Sequence, residues 1–244
     1  MAIFERALGH ARVKLHFQVE GAGFPLLAIA PGGLRSAAAL WRDRPIEPGP
    51  LLAAEYRVIT MDQRNAGQSW APISASDDWH DYASDHLALL DHLGVKRCHV
   101  MGMCIGGAYA LRLALSYPER IASAVLIQPI GLSDNRQAFL EIYESWRDES
   151  RALHPEASDH DFSAFFQNMF GGAFVFCATE AEVTRLEVPL LVLLGDDQYH
   201  PSAISRRVAE VAPQARLIEH WKQEPARTRA HAELQRFLRT HTPR

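Results

Sequence analysis

The sequence predicts an α/β fold in which a mainly parallel, twisted sheet is flanked by helices. Short apolar runs recur along the chain, and several end at glycine or proline, which is typical of strands buried on both faces. Segments with apolar residues at helical spacing lie between these runs, and this alternation predicts parallel strand pairing. A glycine-rich turn at residues 102–106 joins one apolar run to the helical segment that follows it.

The predicted elements follow one another along the chain. Residues 13–19 alternate apolar and polar side chains, which predicts an antiparallel strand at the edge of the sheet. The apolar runs predict further strands at residues 25–30, 56–61, 98–101, 122–127, 190–194 and 215–218. Helical spacing predicts helices over residues 81–93, 106–116, 134–151, 162–170 and 228–238.

Two of these helices interrupt the alternation and indicate a small helical cap inserted into the core. We place it over the carboxyl edge of the sheet, where ligands bind in open α/β sheets. The predicted core is therefore residues 1–130 and 187–244, and the predicted cap is residues 131–186. Large apolar side chains concentrate in the cap, and we expect about two or three of them to line a substrate pocket. They are Trp146, Phe162, Phe165, Phe166, Met169, Phe170, Phe174 and Phe176.

Composition and charge exclude several classes of protein. Hydrophobic residues make up 48% of the chain, which is enough for a full core. The 25 basic and 29 acidic residues give a net charge of −4, so we expect no nucleic acid and no membrane surface as partner. Three cysteines do not suit a disulfide framework and predict a cytoplasmic protein. We expect no signal peptide, no membrane span, no metal and no cofactor.

The turn Gly102-Met103-Cys104-Ile105-Gly106 carries the strongest chemical signal in the sequence. It leads from a predicted strand into a predicted helix, and its glycines leave room around one central side chain. The helix directs its free N–H groups and positive dipole end at Cys104, which lowers a thiol pKa and favours the reactive thiolate. Elsewhere a lone cysteine is more often a small core residue; at the apex of this turn we predict a nucleophile.

This turn resembles the nucleophile elbow of the α/β-hydrolase superfamily, with cysteine in place of the usual serine. Cysteine is a minority variant there, and the dienelactone hydrolases are similar in that one respect. Pro31-Gly32-Gly33 resembles the family's His-Gly element, with proline in the histidine position. Residues 62–69 resemble its Asp-x-Arg-Gly-x-Gly-x-Ser turn, with asparagine for the first glycine. We interpret Asp62 and Arg64 in that turn as structural, through buried polar pairing that fixes a loop.

The resemblance implies roles for several further residues. An oxyanion hole needs two N–H donors, and the implied donors are the backbone amides of Ile105 and Gly33. The implied acid follows a late strand, where Asp197 lies four residues before Pro201 as is usual in the family, although the gap after Gly195 is one residue shorter than usual; Asp196 is the fallback. Such a carboxylate would orient the base and stabilise its cation.

The sequence leaves two candidates for the base. The family places its histidine after the last strand, and His220 lies there, although it lacks the preceding glycine and is followed by Trp221. His200 is three residues from Asp197 and can reach the same pocket from a neighbouring strand end. We rank His220 slightly ahead of His200, and a cysteine nucleophile needs a base less than a serine does.

These residues together predict a hydrolase that cleaves an ester, thioester or lactone through Cys104. The expected partner is a partly apolar small molecule, and a homodimer is possible. Two alternatives stay open from the sequence. One is an acyltransferase on the same scaffold, in which an alcohol or amine captures the thioester. The other is a catalytically degenerate relative that binds a small molecule without turnover.

Overall fold

An eight-stranded sheet forms the centre of the protein, and the computed structural model describes residues 2–8 and 11–243. The strands are β1 (Ala2–Leu8), β2 (Ala11–Glu20), β3 (Phe24–Ile29), β4 (Tyr56–Met61), β5 (Cys98–Met103), β6 (Ile121–Ile127), β7 (Leu190–Leu193) and β8 (Ala215–Ile218). The α-helices are α1 (Pro48–Leu52), α2 (Trp79–His92), α3 (Ile105–Ser116), α4 (Arg136–Arg151), α5 (Asp159–Phe170), α6 (Glu180–Val183), α7 (Ser202–Val211) and α8 (Ala226–His241).

The strands lie in the order β1-β2-β4-β3-β5-β6-β7-β8, which confirms the predicted fold class. β2 pairs antiparallel with β1 and β4, and the pairs from β4 through β8 are parallel. Helices α2 and α3 pack against one face of the sheet, and α1 and α8 pack against the other. Parallel strands bring their carboxyl ends to one edge, and β5 and β7 therefore deliver the residues that follow them to the same side of the molecule.

The prediction that residues 13–19 form the edge strand is wrong. These residues belong to β2, and β1 covers its outer side in an antiparallel pairing from Ala2↔Phe17 to Leu8↔Ala11. β1 escaped the sequence analysis because Glu5 and Arg6 break its apolar pattern and because no residue of the strand is fully buried. The helices α1, α6 and α7 were also not predicted.

Three helices, α4, α5 and α6, occupy the stretch between β6 and β7 that the sequence predicts to be an insertion. They attach to the core partly through polar contacts. Trp79 Nε1 on α2 donates to the carbonyl of Met169 at 3.0 Å, and Arg35 Nε donates to Glu149 at 2.8 Å. Within the described part of the chain, none of the helices is long and apolar enough to cross a membrane.

A buried charged cluster fixes the loop after β4. Arg64 is 1% exposed, and its Nε donates to Asp85 at 2.7 Å while Nη1 lies 3.3 Å from Asp77. Asp62 accepts the backbone N–H groups of Ala38 at 2.8 Å and Gln68 at 2.9 Å. The prediction that Asp62 and Arg64 fix a loop through buried polar contacts is confirmed. The two residues do not bind each other, and each has its own partners.

Removing the Asp85 carboxylate should strongly destabilise the fold, because it leaves the buried Arg64 guanidinium with one remaining carboxylate, Asp77, beside the Asp81 carbonyl. For Asp85→Ala we expect the free energy of unfolding in urea to fall by about 3–5 kcal/mol. The matched control is Glu55→Ala, which breaks the exposed ion pair with Arg239 and should cause no measurable change. Equal effects of the two variants would show that the buried cluster is not a main support of this loop.

Candidate active site

Cys104 is the single residue between the end of β5 and the start of α3, and its backbone is strained. Its φ is 60° and its ψ is −124°, values that L-residues rarely adopt. A side chain at Gly102 would place its Cβ 1.9 Å from the carbonyl oxygen of Gly106, and one at Gly106 would lie 2.2 Å from the Ile29 carbonyl oxygen. Glycine is therefore the only residue that fits at either position, and the turn lifts the Cys104 side chain off the sheet.

His200 lies on the loop that follows β7, and Asp197 on the same loop holds it. The Asp197 carboxylate accepts from His200 Nδ1 at 2.8 Å and from the backbone N–H groups of Tyr199 at 2.9 Å and His200 at 3.0 Å. Because the carboxylate can only accept, Nδ1 carries the proton. Nε2 is buried and meets no nitrogen or oxygen partner among the described residues, and it is the ring nitrogen left for Cys104.

Two serine side chains fix the start of this loop by binding the backbone of Gly195. The Gly195 N–H donates to Ser205 Oγ at 3.0 Å, and Ser202 Oγ donates to the Gly195 carbonyl at 2.6 Å. A Cβ at Gly195 would lie 2.2 Å from the His200 carbonyl oxygen, so only glycine allows the loop to fold back on itself. The short gap between Gly195 and the acid brings His200 back to the strand end.

The electrostatics of these three side chains favour charge separation. Burial alone would raise the pKa of the Cys104 thiol, but the interaction with His200, together with the backbone N–H groups of Gly32 and Ile105, outweighs it and holds that pKa below its usual value. Burial alone would lower the pKa of His200, but Cys104 and Asp197 raise it above its usual value. His200 and backbone N–H groups likewise hold the pKa of Asp197 down against burial. The site therefore favours a thiolate, an imidazolium and a carboxylate together.

Cys104 opens into a cavity of about 190 Å³, below the usual range of ligand pockets, which begins near roughly 300 Å³. Its walls are aromatic and aliphatic apart from Cys104, His200 and the glycine backbone. The lining residues are Gly32, Gly33, Cys104, Ile105, Ile130, Phe139, Ile142, Phe170, Tyr199 and His200. Helices α4 and α5, from the predicted cap, supply Phe139, Ile142 and Phe170.

Backbone N–H groups interact with the Cys104 sulfur in this cavity. Both predicted oxyanion donors, Gly33 and Ile105, line it. The N–H groups of Gly32 and Ile105 are the ones that interact with the sulfur and help to lower its pKa. Gly32 has a φ of 120°, and a Cβ there would lie 2.4 Å from Leu40 Cδ1, so this position needs glycine; Gly33 has a φ of 59°, which favours glycine.

The structure corrects the ranking of the two histidines. His220 is exposed and lines a different surface pocket, with Asp196, Trp221 and Lys222. Trp221 is 2% exposed and its Nε1 donates to the Leu194 carbonyl at 2.8 Å, which fixes the start of the segment after β8 away from Cys104. The fallback acid Asp196 is also turned away, in an ion pair with Lys222.

Most of the large apolar side chains named in the predicted cap pack within the core and do not line the cavity. Of the eight residues named in the cap, Phe170 lines the cavity, whereas Phe162 and Phe165 are at most 2% exposed within the core. Phe139 and Ile142 were missed, although their spacing of three puts them on one face of α4, a signal visible in the sequence. Over the described residues, no group of three or more His, Cys, Asp or Glu side chains is placed to hold a metal ion.

Comparison with known proteins identifies relatives across the whole architecture. The family model described as the α/β-hydrolase fold matches residues 25–176. A protein from Variovorax paradoxus named putative carbamate hydrolase RutD is 39% identical over 226 residues, which cover 81% of this chain and 84% of that protein. A 2-hydroxymuconate semialdehyde hydrolase from Pseudomonas putida is 28% identical over 251 residues, covering 87% of this chain and 85% of the relative.

Solved structures show the same fold at lower sequence identity. The meta-cleavage product hydrolase CumD from Pseudomonas fluorescens superposes with a TM-score of 0.68 at 23% identity, covering 94% of this chain and 96% of that one. An enol-lactonase from Burkholderia xenovorans gives a TM-score of 0.68 at 20% identity, covering 96% of this chain and 99% of its own. At these identities the likeness establishes the fold alone.

The histidine beside Cys104 should control the pKa of the thiol. In His200→Ala, burial still raises the pKa of Cys104, but the imidazole that lowers this pKa is gone. We therefore expect the pH of half-maximal alkylation by iodoacetamide to rise by about one to three units. His220→Ala is the matched control and should leave the profile unchanged. Mass spectrometry locates the label at Cys104, because Cys98 and Cys177 are buried. If His220→Ala shifts the alkylation profile and His200→Ala does not, His220 and not His200 is the histidine that sets the pKa of Cys104.

Proposed function

Because this chain belongs to the α/β-hydrolase fold family, we propose that it is a thiol hydrolase that cleaves small, neutral acyl substrates through Cys104. The observation that carries the proposal is that Cys104 and His200 line the same apolar cavity while Asp197 holds the His200 ring through Nδ1. The substrate classes we propose are esters, thioesters and lactones. The bond cleaved joins the acyl carbon to an oxygen or a sulfur.

The first half-reaction forms an acyl-enzyme. The Cys104 thiolate attacks the carbonyl carbon, a carbon–sulfur bond forms, and the carbonyl electron pair moves onto oxygen. Backbone N–H groups of Ile105 and the Gly32-Gly33 turn then stabilise this oxyanion. As the oxyanion collapses, the bond to the leaving group breaks, and His200 Nε2 gives its proton to the departing oxygen or sulfur. The acyl group stays on Cys104 as a thioester.

The second half-reaction hydrolyses this thioester. His200, now neutral, takes a proton from water at Nε2 while the water oxygen attacks the acyl carbon. The same N–H groups hold the second oxyanion, and its collapse releases the carboxylic acid and returns the Cys104 thiolate. Asp197 accepts from Nδ1 throughout, which keeps the ring oriented and stabilises its cation when it forms.

The pocket favours a neutral acyl group. Among the described residues, no lysine or arginine lines this cavity, so it offers no such cation to pair with a charged acyl group. Two relatives are named for carbamate and semialdehyde substrates. The nearby arginines have other partners, since Arg35 pairs with Glu149 and Arg136 donates to the carbonyls of Phe170 and Gly172. Thiolate, imidazolium and carboxylate sum to one negative charge, which repels an anionic acyl group. A water molecule in the liquid occupies roughly 30 Å³, so a cavity of about 190 Å³ has room for about six water-sized groups of an acyl chain.

The site also bears on the alternative of a degenerate binding protein. A binding site without turnover needs no buried histidine with one nitrogen on a carboxylate and the other free to face a thiol. A histidine bound to a carboxylate at Nδ1 and free at Nε2 in a thiol-lined cavity has the arrangement that proton transfer to and from a nucleophile needs, which supports an enzyme.

Replacing the nucleophile should abolish turnover. Cys104→Ala should lower kcat/KM for p-nitrophenyl butanoate by about 1000-fold or more, as loss of a nucleophile does in other acyl hydrolases. The matched control is Cys177→Ala, a buried cysteine outside the site, which should retain activity. Rapid quenching of the wild-type protein should trap a mass increase of one butanoyl group on Cys104. Full activity in Cys104→Ala would refute the proposal.

Charge selectivity is tested with two esters whose acyl groups have the same number of non-hydrogen atoms. We expect p-nitrophenyl hexanoate to be cleaved about 100-fold more efficiently than p-nitrophenyl hemisuccinate, because an unpaired carboxylate is strongly disfavoured in an apolar cavity. Ile142→Lys should narrow that ratio, and Ile142→Met should preserve it. Equal kcat/KM values for the two esters with wild-type protein would contradict a neutral acyl class.

A further inference from the structure

The acid and the base share one short loop, and this changes what must be held in place. Asp197 and His200 keep their mutual geometry through bonds within the loop itself. Cys104 lies on a different strand end. The alignment of His200 with Cys104 therefore depends on where the whole loop lies relative to the end of β5 and β6.

One side chain ties the middle of this loop to the strand beside Cys104. Asn135 Nδ2 donates to the Gln198 carbonyl at 2.6 Å, between the acid and the base in sequence. The other side-chain bonds from outside are those to Leu194 and Gly195 at the loop's start and the exposed pair of Asp196 with Lys222. Among the described residues, Asn135 is thus the only buried side chain that hydrogen-bonds to the centre of the loop; the other buried contact there is apolar, from Phe139 to the ring of Tyr199.

Asn135 is itself firmly anchored to the segment after β6. Its Nδ2 also donates to the Gly131 carbonyl at 3.1 Å, and its Oδ1 accepts the Ser133 N–H at 2.9 Å. β6 ends at Ile127, whose carbonyl accepts the N–H of Cys104 at 3.0 Å. A short, bonded path therefore runs from the nucleophile through β6 and Asn135 to the loop that carries His200.

The ordinary role for an asparagine at this position is to cap the helix that follows. Asn135 directly precedes α4, but its side chain makes no hydrogen bond to the N–H groups of that helix. The amide is used instead for the contact with Gln198. α4 also supplies Phe139 and Ile142 to the cavity, so the same residue stands between the acyl pocket and the acid–base loop.

We propose that Asn135 is a positioning residue that holds the Asp197–His200 loop in register with Cys104. The inference rests on the proposed thiol chemistry, but it concerns a residue that touches neither the substrate nor the reacting atoms. Without the Gln198 contact the loop moves as a unit, the Asp197–His200 bond survives, and His200 Nε2 leaves the sulfur. Cys104 then loses the main side-chain interaction that opposes burial, and the pKa of its thiol rises.

The test compares Asn135→Ala with Asn168→Ala. Asn168 lies on α5 and also donates through Nδ2 to two carbonyls, those of Ala75 and Asp77, so it links the predicted cap to the core away from the site. Readouts are the pH profile of Cys104 alkylation, the pKa of His200 from NMR titration, and kcat and KM for p-nitrophenyl butanoate. Neither substitution alters the charged groups that surround the loop, which are Asp134, Glu141, Asp196, Asp197 and Lys222.

For Asn135→Ala we expect the alkylation profile to move up by about one unit, the His200 pKa to fall toward its ordinary value of roughly 6.5, and kcat to drop about tenfold with little change in KM. Asn168→Ala should change none of these. If Asn135→Ala does not fold, Asn135→Ser, which keeps a shorter donor, should show the same shifts at smaller size.

Two other outcomes separate the two proposals. Unchanged alkylation and His200 titration in Asn135→Ala, with lower kcat or stability, would overturn the positioning role and leave the thiol mechanism intact. An ordinary thiol pKa in the wild-type protein, together with full activity of Cys104→Ala, would instead overturn the proposed function.

Discussion

The close approach of the backbone at residues 102–106 to itself and to β3 is the constraint on which the site depends. Any side chain at Gly102 or Gly106 would collide with a carbonyl oxygen, so the chain turns sharply there, and Cys104 takes a strained conformation. That strain is held by the buried strands on both sides of β5, and costs of about 1–3 kcal/mol are typical of such residues. Packing in the rest of the molecule offsets the strain in this turn and holds the Cys104 side chain toward the cavity.

Electrostatics then determines which partner the nucleophile needs. A thiol in an apolar cavity resists ionisation, and burial works against the chemistry. The imidazolium of His200 reverses this, and it is in turn maintained by Asp197 on the same loop. The acid, the base and their mutual bonds form a local unit, and the position of that unit relative to Cys104 becomes the variable that tertiary structure has to set. Asn135 lies where such a restraint is required.

The parts of this protein that sequence reasoning could predict are those set by short-range sterics. The buried strands, the turn at Cys104, and the proposed roles of Gly33, Ile105 and Asp197 all follow from local patterns. The proposed base, His200, does not, because His220 and His200 differ in where β8 and its following Trp221 direct the chain, which no local pattern records. β1 was missed because charged residues interrupt it, and Ile142 because its function depends on which way α4 faces. The contact of Asn135 with Gln198 joins residues 63 positions apart and has no sequence signature.

Having both the proposed acid and the proposed base on the loop after β7 has an evolutionary consequence. In the resembled family the segment after the last strand must conserve a histidine, and its length and direction are under selection for catalysis. In this chain the corresponding segment after β8 carries only surface polar contacts around His220 and the packing of Trp221. It is therefore released from that selection and is free to drift in length and composition. Divergence among close relatives should concentrate there, whereas insertions within the seven residues from Gly195 to Pro201 should be purged.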